Sequence, residues 1–188
     1  MLAVALAAAA SSGAVVPVQS ADALEIPDWW PVPDRLRQIV RYMNSAEFDY
    51  CIWHPSRWNN CIQAWEAKWE ADSMTKIQFP PAGNDDSKKS NAFYHAWWHV
   101  RMTHRMSGNP ATALRFGELH EAGWEWTPES QMDLHNNAVG AYTGRDNDQP
   151  HSLWSITVKA NRAILKDRNA TPLWGPPGET WELWFIKK

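Results

Sequence analysis

Apolar positions recur at helical spacing along most of the chain, and turn-forming residues separate the segments. Pro27, Pro31 and Pro33 break the entry. Asp34 to Met43 then carries Leu36, Ile39, Val40 and Met43 on one face, the spacing of a short amphipathic helix. Pro55-Ser56 opens a second helix, in which Trp58, Cys61, Ile62, Trp65 and Trp69 make a face dominated by indole. Phe79 to Ser90 is rich in Pro, Gly, Asn, Asp and Lys and reads as an exposed loop. Asn91 to Met106 is a helix stopped by Gly108. Asn109-Pro110 supplies an N-cap and a first-turn proline for a helix running to about Ala122. Thr127-Pro128 repeats that signal for Glu129 to Tyr142, which ends before Gly144. Asp148-Gln149-Pro150 opens a last helix with Leu153, Ile156, Ala160 and Ile164 on one face. Trp174 to Gly178 reads as a turn, and Thr180 to Ile186 as an extended segment.

The expected fold is therefore mainly α. It is a single compact helical domain of five to six helices over residues 24–188, with a short extended C-terminal segment. Short connections between the four consecutive central helices favour an antiparallel arrangement.

Residues 1–23 stand apart. Met1 to Val18 carries no charge, and Leu2 to Ala10 is an unbroken apolar stretch of the length of a secretory signal core. It is too short and too rich in alanine to span a membrane. It lacks the positive residue that usually precedes such a core. Ala21-Asp22-Ala23 is a small-x-small pattern for cleavage before Leu24, so the expectation is a signal peptide over 1–23 and a secreted protein. In that setting two cysteines ten residues apart, Cys51 and Cys61, read as one disulfide. Two buried free thiols are the alternative, and metal binding by a lone pair of cysteines is weaker still.

Composition adds two points. The chain has 44% hydrophobic and 21% charged residues, the balance of a globular protein rather than a disordered or fibrous one. Its 18 Lys+Arg against 21 Asp+Glu give a formal charge of −3, and the basic residues form no run or stripe. That argues against a nucleic-acid-binding partner and leaves a nuclease open. The abnormal number is 14 tryptophans. Most are expected to fill a core poor in Ile, Leu and Phe. Trp29-Trp30, Trp124, Trp126 and Trp174 fall in loops, where exposed indoles would suit a cell-wall, glycan or membrane surface.

The candidate chemistry lies in the central helices. Five of the seven histidines fall between His95 and His135, with Glu118, Glu121 and Asp133 among them. Asn91, His95 and His99 share one helical face near Met102. Gly117, His120 and Glu121 share another, where the glycine permits close approach. Asp133, Asn136, Asn137 and Gly140 share a third, with His135 pointing elsewhere. Three helices can thus aim polar groups at a common interior, where each unpaired group would cost on the order of 1–3 kcal/mol. His95, Glu121 and Asp133 make a plausible sphere for one divalent metal, Zn²⁺, Mn²⁺ or Ca²⁺. A histidine held by a carboxylate would equally serve as a metal-free general base. The pair His95 and His99 is weak evidence of a chelate by itself. His104, flanked by Arg101 and Arg105, reads as surface, and His54 and His151 carry no assigned role.

The strings Asn91-Ala92-Phe93-Tyr94-His95-Ala96-Trp97-Trp98, His120-Glu121 and Met132-Asp133-Leu134-His135-Asn136-Asn137-Ala138-Val139-Gly140 resemble a bacterial domain family of unknown function. Its pattern reads N-A-x-R-H-x-x-W, H-E and M-D-L-H-N-N-x-x-G, in secreted and toxin-like proteins. The resemblance implies that Asn91, His95, His120, Glu121, Asp133, His135, Asn136 and Asn137 are the family's polar positions. Here Tyr94 stands where an arginine is usual, and Gly140-Ala141 where Gly-Arg is frequent.

Three readings follow. The first is a secreted hydrolase with His95, His120, Glu121, Asp133 and His135 as catalytic or metal-binding groups. Asn91, Asn136 and Asn137 would hold or orient a substrate, with a lipid or phosphodiester bond first and a cell-wall bond second. The second is a non-catalytic, tryptophan-rich binding module with peripheral membrane contact. The third is a buried polar network that only specifies the helix packing. No P-loop, Rossmann glycine pattern or Gly-x-Ser-x-Gly elbow is present, so no nucleotide cofactor or serine-hydrolase chemistry is expected.

Overall fold

In the computed structural model the described residues are 26–80, 89–124, 127–146, 149–166 and 182–186. The expected signal segment 1–23, Trp126, Trp174 and the expected turn over 174–178 lie outside them. Within them the chain is mainly helical, as the periodicity predicts. The α-helices are α1 (Asp34–Ile39), α2 (Ser45–Ile52), α3 (Trp58–Gln78), α4 (Lys89–Arg105), α5 (Pro110–His120), α6 (Pro128–Thr143) and α7 (Gln149–Asn161). None of them is long and apolar enough to cross a membrane.

The start signals act as expected. The Asn109 side chain accepts the Thr112 N–H, and Thr127 Oγ1 accepts the Ser130 N–H at 3.2 Å, each followed by a proline in the first turn. The apolar pattern does not announce α2, but a capping box does. Asn44 Oδ1 accepts the Glu47 N–H at 2.8 Å, and Glu47 Oε2 accepts the Asn44 N–H at 2.9 Å. The Asn44 amide also donates to the Leu119 and His120 carbonyls, which ties the start of α2 to the end of α5. Cys51 and Cys61 form a disulfide between α2 and the first turn of α3. Replacing both by alanine is expected to lower stability by about 3 kcal/mol, the chain-entropy value for so short a loop. Urea unfolding checks this, and a loss below about 1 kcal/mol would show that α2 and α3 are held by packing alone.

The core is built around α4, buried along nearly its whole length among α3, α5, α6 and α7. Trp98 Nε1 donates to the Ala64 carbonyl of α3 at 2.9 Å, so a core indole meets its one polar need. On the α6 side the contact is closer still. A Cβ on Gly140 would lie 2.0 Å from the Ala96 carbonyl oxygen.

Two expectations need correction. His104 is buried rather than at the surface, because α7 covers that face of α4. Its Nε2 lies 3.4 Å from Ser152 Oγ. Its arginine neighbours lie on the other side, where Arg101 pairs with Glu70 and Arg105 with Glu66 and Glu70 of α3. Ile164 does not extend the apolar face of α7. The helix stops at Asn161, and Ile164 opens β1 (Ile164–Lys166), which pairs in parallel with β2 (Trp184–Ile186). The expected extended tail is thus a strand where it is described. The tryptophans divide: Trp65, Trp97, Trp98 and Trp184 are buried, while Trp29 is 77%, Trp124 58% and Trp154 63% exposed.

Candidate functional site

Three helices bring the polar cluster together. Helix α4 contributes Asn91 and His95, the end of α5 His120 and Glu121, and α6 Asp133 and Asn137. The Asn91 amide donates to Asp133 Oδ1 at 2.8 Å. His95 Nδ1 lies 3.1 Å from Asn137 Oδ1, and His95 Nε2 lies 3.4 Å from Asp133 Oδ2. His95, Glu121 and Asp133 are all buried, and each offers one ligand atom within 4.8 Å of the others. That spacing could hold a metal ion.

The electrostatics follow from burial. A His95 tautomer protonated on Nδ1 would donate to Asn137 Oδ1 and turn the Nε2 lone pair toward Asp133, the form a metal ligand needs. Burial, and then the neighbouring His120 and His99 charges, push the His95 imidazole well below its ordinary value, so the ring is neutral at neutral pH. Burial raises the Glu121 carboxyl, although a hydrogen bond from Ser130 and the charges of His120 and Lys68 oppose it. The Tyr94 phenol, edge-on to His95 at 5.1 Å, is raised by burial and stays protonated. His99 is one layer deeper. Its Nδ1 bonds the His95 carbonyl at 2.9 Å, and burial pushes it down to about 3. A Cβ on Gly117 would come 2.6 Å from His99 Nε2 and 2.7 Å from Asn137 Nδ2, so only glycine lets α5 sit against these two side chains.

A second group flanks the first, and the sequence reading misses half of it. His120 Nδ1 lies 2.9 Å from Glu47 Oε1. Glu47 therefore caps α2 with one oxygen and holds His120 with the other. Burial works to raise its carboxyl, but His120, Lys68 and the Asn44 N–H outweigh that and hold it below its ordinary value. Lys68 Nζ lies 3.4 and 3.5 Å from the two ring nitrogens of His120, and 4.5 and 5.1 Å from the centres of the Trp65 and Trp98 rings. Burial lowers this ammonium, opposed by Glu47 and Glu121. The Asn-x-x-Glu box could have revealed Glu47. Nothing local singles out Lys68 from the other charges of α3.

Two sequence candidates sit elsewhere. His135 faces away from the cluster, its Nε2 2.9 Å from the Glu182 carbonyl and its ring stacked 3.8 Å from that of Trp184. Asn136 donates to the Trp184 carbonyl and accepts the Trp184 N–H, both at 2.9 Å. The two residues hold β2 onto α6. His135 therefore does not join His95, and Asn136 does not join Asn91 and Asn137.

The cluster forms the floor of an open cleft of about 590 Å³. Lys68 and His120 line one wall, Thr127 and Ser130 another, and the exposed Trp124 stands at the rim. The three groups that could hold an ion lie on the floor, with the cleft side open to solvent. Neither a curated protein nor a solved structure matches the chain. A family match covers residues 49–168, which contain the disulfide, the His95–Glu121–Asp133 cluster, Lys68 and His120, and begins two residues after Glu47. The chain belongs to DUF6973, a family described as a domain of unknown function.

Proposed function

We propose that the chain is a secreted bacterial hydrolase whose reaction centre is the His95–Glu121–Asp133 cluster, acting on a lipid ester or phosphodiester bond. One observation carries the reading. His95 Nε2 lies 3.4 Å from Asp133 Oδ2, and a Glu121 oxygen lies within 4.8 Å of both, so one imidazole nitrogen and two buried carboxylates converge on one point. Such a grouping calls for a cation. Zn²⁺, Mn²⁺ or Ca²⁺ bound there would supply Lewis-acid polarisation of the scissile bond.

The chain's own residues do the rest. Asn137 holds the His95 ring and its tautomer, and Asn91 holds the Asp133 carboxylate, the supporting contacts that metal ligands use. His120, oriented by Glu47, is the acid/base group that moves a proton at Nε2 between attacking water and leaving group. The buried walls limit water to the open side. Export through a signal peptide at 1–23 fits the disulfide, which persists in oxidising compartments.

The test is the metal content of residues 24–188 after dialysis against trace Zn²⁺, Mn²⁺ and Ca²⁺. About one equivalent of one ion is expected in the wild type. No ion would remove the metal-dependent reading. If vesicle or polysaccharide binding then also survived His95→Ala and failed on loss of Trp29 and Trp124, the non-catalytic module would be favoured, as their exposure already suggests.

A further inference from the structure

Lys68 is the one lysine or arginine among the described residues lining the cleft. Its half-buried ammonium has three donors, and its near neighbours are two indole faces and one imidazole. No described carboxylate lies within ion-pair distance; Glu47 and Glu121 act on it only through space. The imidazole can accept at most one of the three N–H groups. An ammonium seated on tryptophan, within a space open to solvent, is placed to receive an anion.

We infer that Lys68 and the ion held by His95, Glu121 and Asp133 together form a subsite for the phosphoryl group of a phosphate ester. The inference rests on the metal site proposed above and names the substrate class for it. Charge sets the order of binding. Without the ion, the carboxylates of Glu121, Glu129 and Asp133 outnumber the one lysine in the lining of the cleft, and a phosphate anion is repelled. With the ion in place the two floor carboxylates are neutralised and an open coordination position stands beside Lys68, so the tetrahedral phosphoryl oxygens can reach both cations at once. By linkage the phosphoryl group tightens the ion by the same factor as the ion tightens the phosphoryl group. The cleft of about 590 Å³ is larger than a phosphate ion needs, and Trp124 at its rim offers an apolar face to the organic part of an ester.

Calorimetric titration of residues 24–188 with inorganic phosphate, glycerol phosphate and acetate tests this, using ion-loaded and ion-free wild type, Lys68→Gln and Lys68→Arg. Both phosphates are expected to bind the loaded wild type, and acetate more weakly. Removing the ion, or Lys68→Gln with the ion retained, should weaken phosphate binding by about tenfold or more, the loss of one charge-assisted hydrogen bond. Lys68→Arg should restore most of it. Equal phosphate binding by loaded Lys68→Gln and wild type would overturn the inference while leaving the metal site intact. Binding of inorganic phosphate without glycerol phosphate would overturn the ester assignment. A wild type that takes up no ion would remove the metal site and this subsite together.

Discussion

Replacing Asp133 with asparagine is expected to weaken divalent-ion binding by more than about 100-fold, and hydrolysis with it. Loss of a residue that merely supports a ligand already costs roughly 10–100-fold, and Asp133 is itself a ligand in the proposed site. The variant keeps the shape of the side chain. Its Oδ1 still accepts the Asn91 amide, now 2.8 Å from the carboxylate. Its new amide can donate toward His95 Nε2, which lies 3.4 Å from the carboxylate oxygen it replaces. The ion-free variant should therefore be no less stable than the wild type, because a buried carboxylate is replaced by a neutral amide of the same shape. At an ion concentration near 100 times its dissociation constant the wild type should gain about 2.7 kcal/mol, and the variant almost nothing. Calorimetry and thermal melts with and without ion measure both effects. Unchanged ion uptake would refute the ligand role. A lower melting point for the ion-free variant would mean that Asp133 is there for packing.

Gly140→Ala is expected to cost about 3 kcal/mol or more, the upper part of the range for forcing volume into a packed contact. The added Cβ would sit 2.0 Å from the Ala96 carbonyl oxygen and 2.7 Å from its Cα and carbonyl carbon. These are backbone atoms of α4 and cannot swing aside as the tip of a side chain can, so α4 and α6 must part. Asn91 and His95 ride on α4, Asp133 and Asn137 on α6, so ion binding should fall with stability. Gly144→Ala gives a graded comparison. Its Cβ would come 2.7 Å from the Val100 carbonyl oxygen, a smaller overlap with the same helix, and should cost less. Denaturant unfolding of the two variants orders them. Losses below about 1 kcal/mol for both would mean that the two helices do not pack this closely.

Much of the helical frame was readable locally because each signal acts within one turn of chain. Asn109-Pro110 and Thr127-Pro128 start α5 and α6 where they are expected, since an N-cap side chain and a proline lacking an N–H satisfy the first turn without help from the rest of the fold. The box of Asn44 and Glu47 was equally local. Helix α2 is only eight residues long, too short for apolar spacing to mark it.

The composition of the site was legible to a lesser degree. His95, Glu121, Asp133, Asn91 and Asn137 stand in the sequence at spacings that put them on helix faces, and those faces meet. Asn136 and His135 show the limit of that argument. Helix α6 is covered by α4 on one side and by β2 on the other, so polar residues one position apart serve different neighbours. Asn137 meets His95, while Asn136 clamps Trp184. Periodicity tells which residues share a face, and not what covers it.

By itself the sequence determined where helices begin, that two cysteines could be joined, and which residue types could make a reactive centre. The helix starts depend on groups within one turn of each other, and the rest on residue type and helical spacing. The tertiary structure alone decided that His104 is buried, that Glu47 reaches from α2 to hold His120, and that Lys68 stands in the cleft rather than among the surface charges of α3. Glu47 and His120 are 73 positions apart and Lys68 and His120 are 52. Such pairings are set by which helix faces bury the most apolar surface together, and no short-range pattern records that choice.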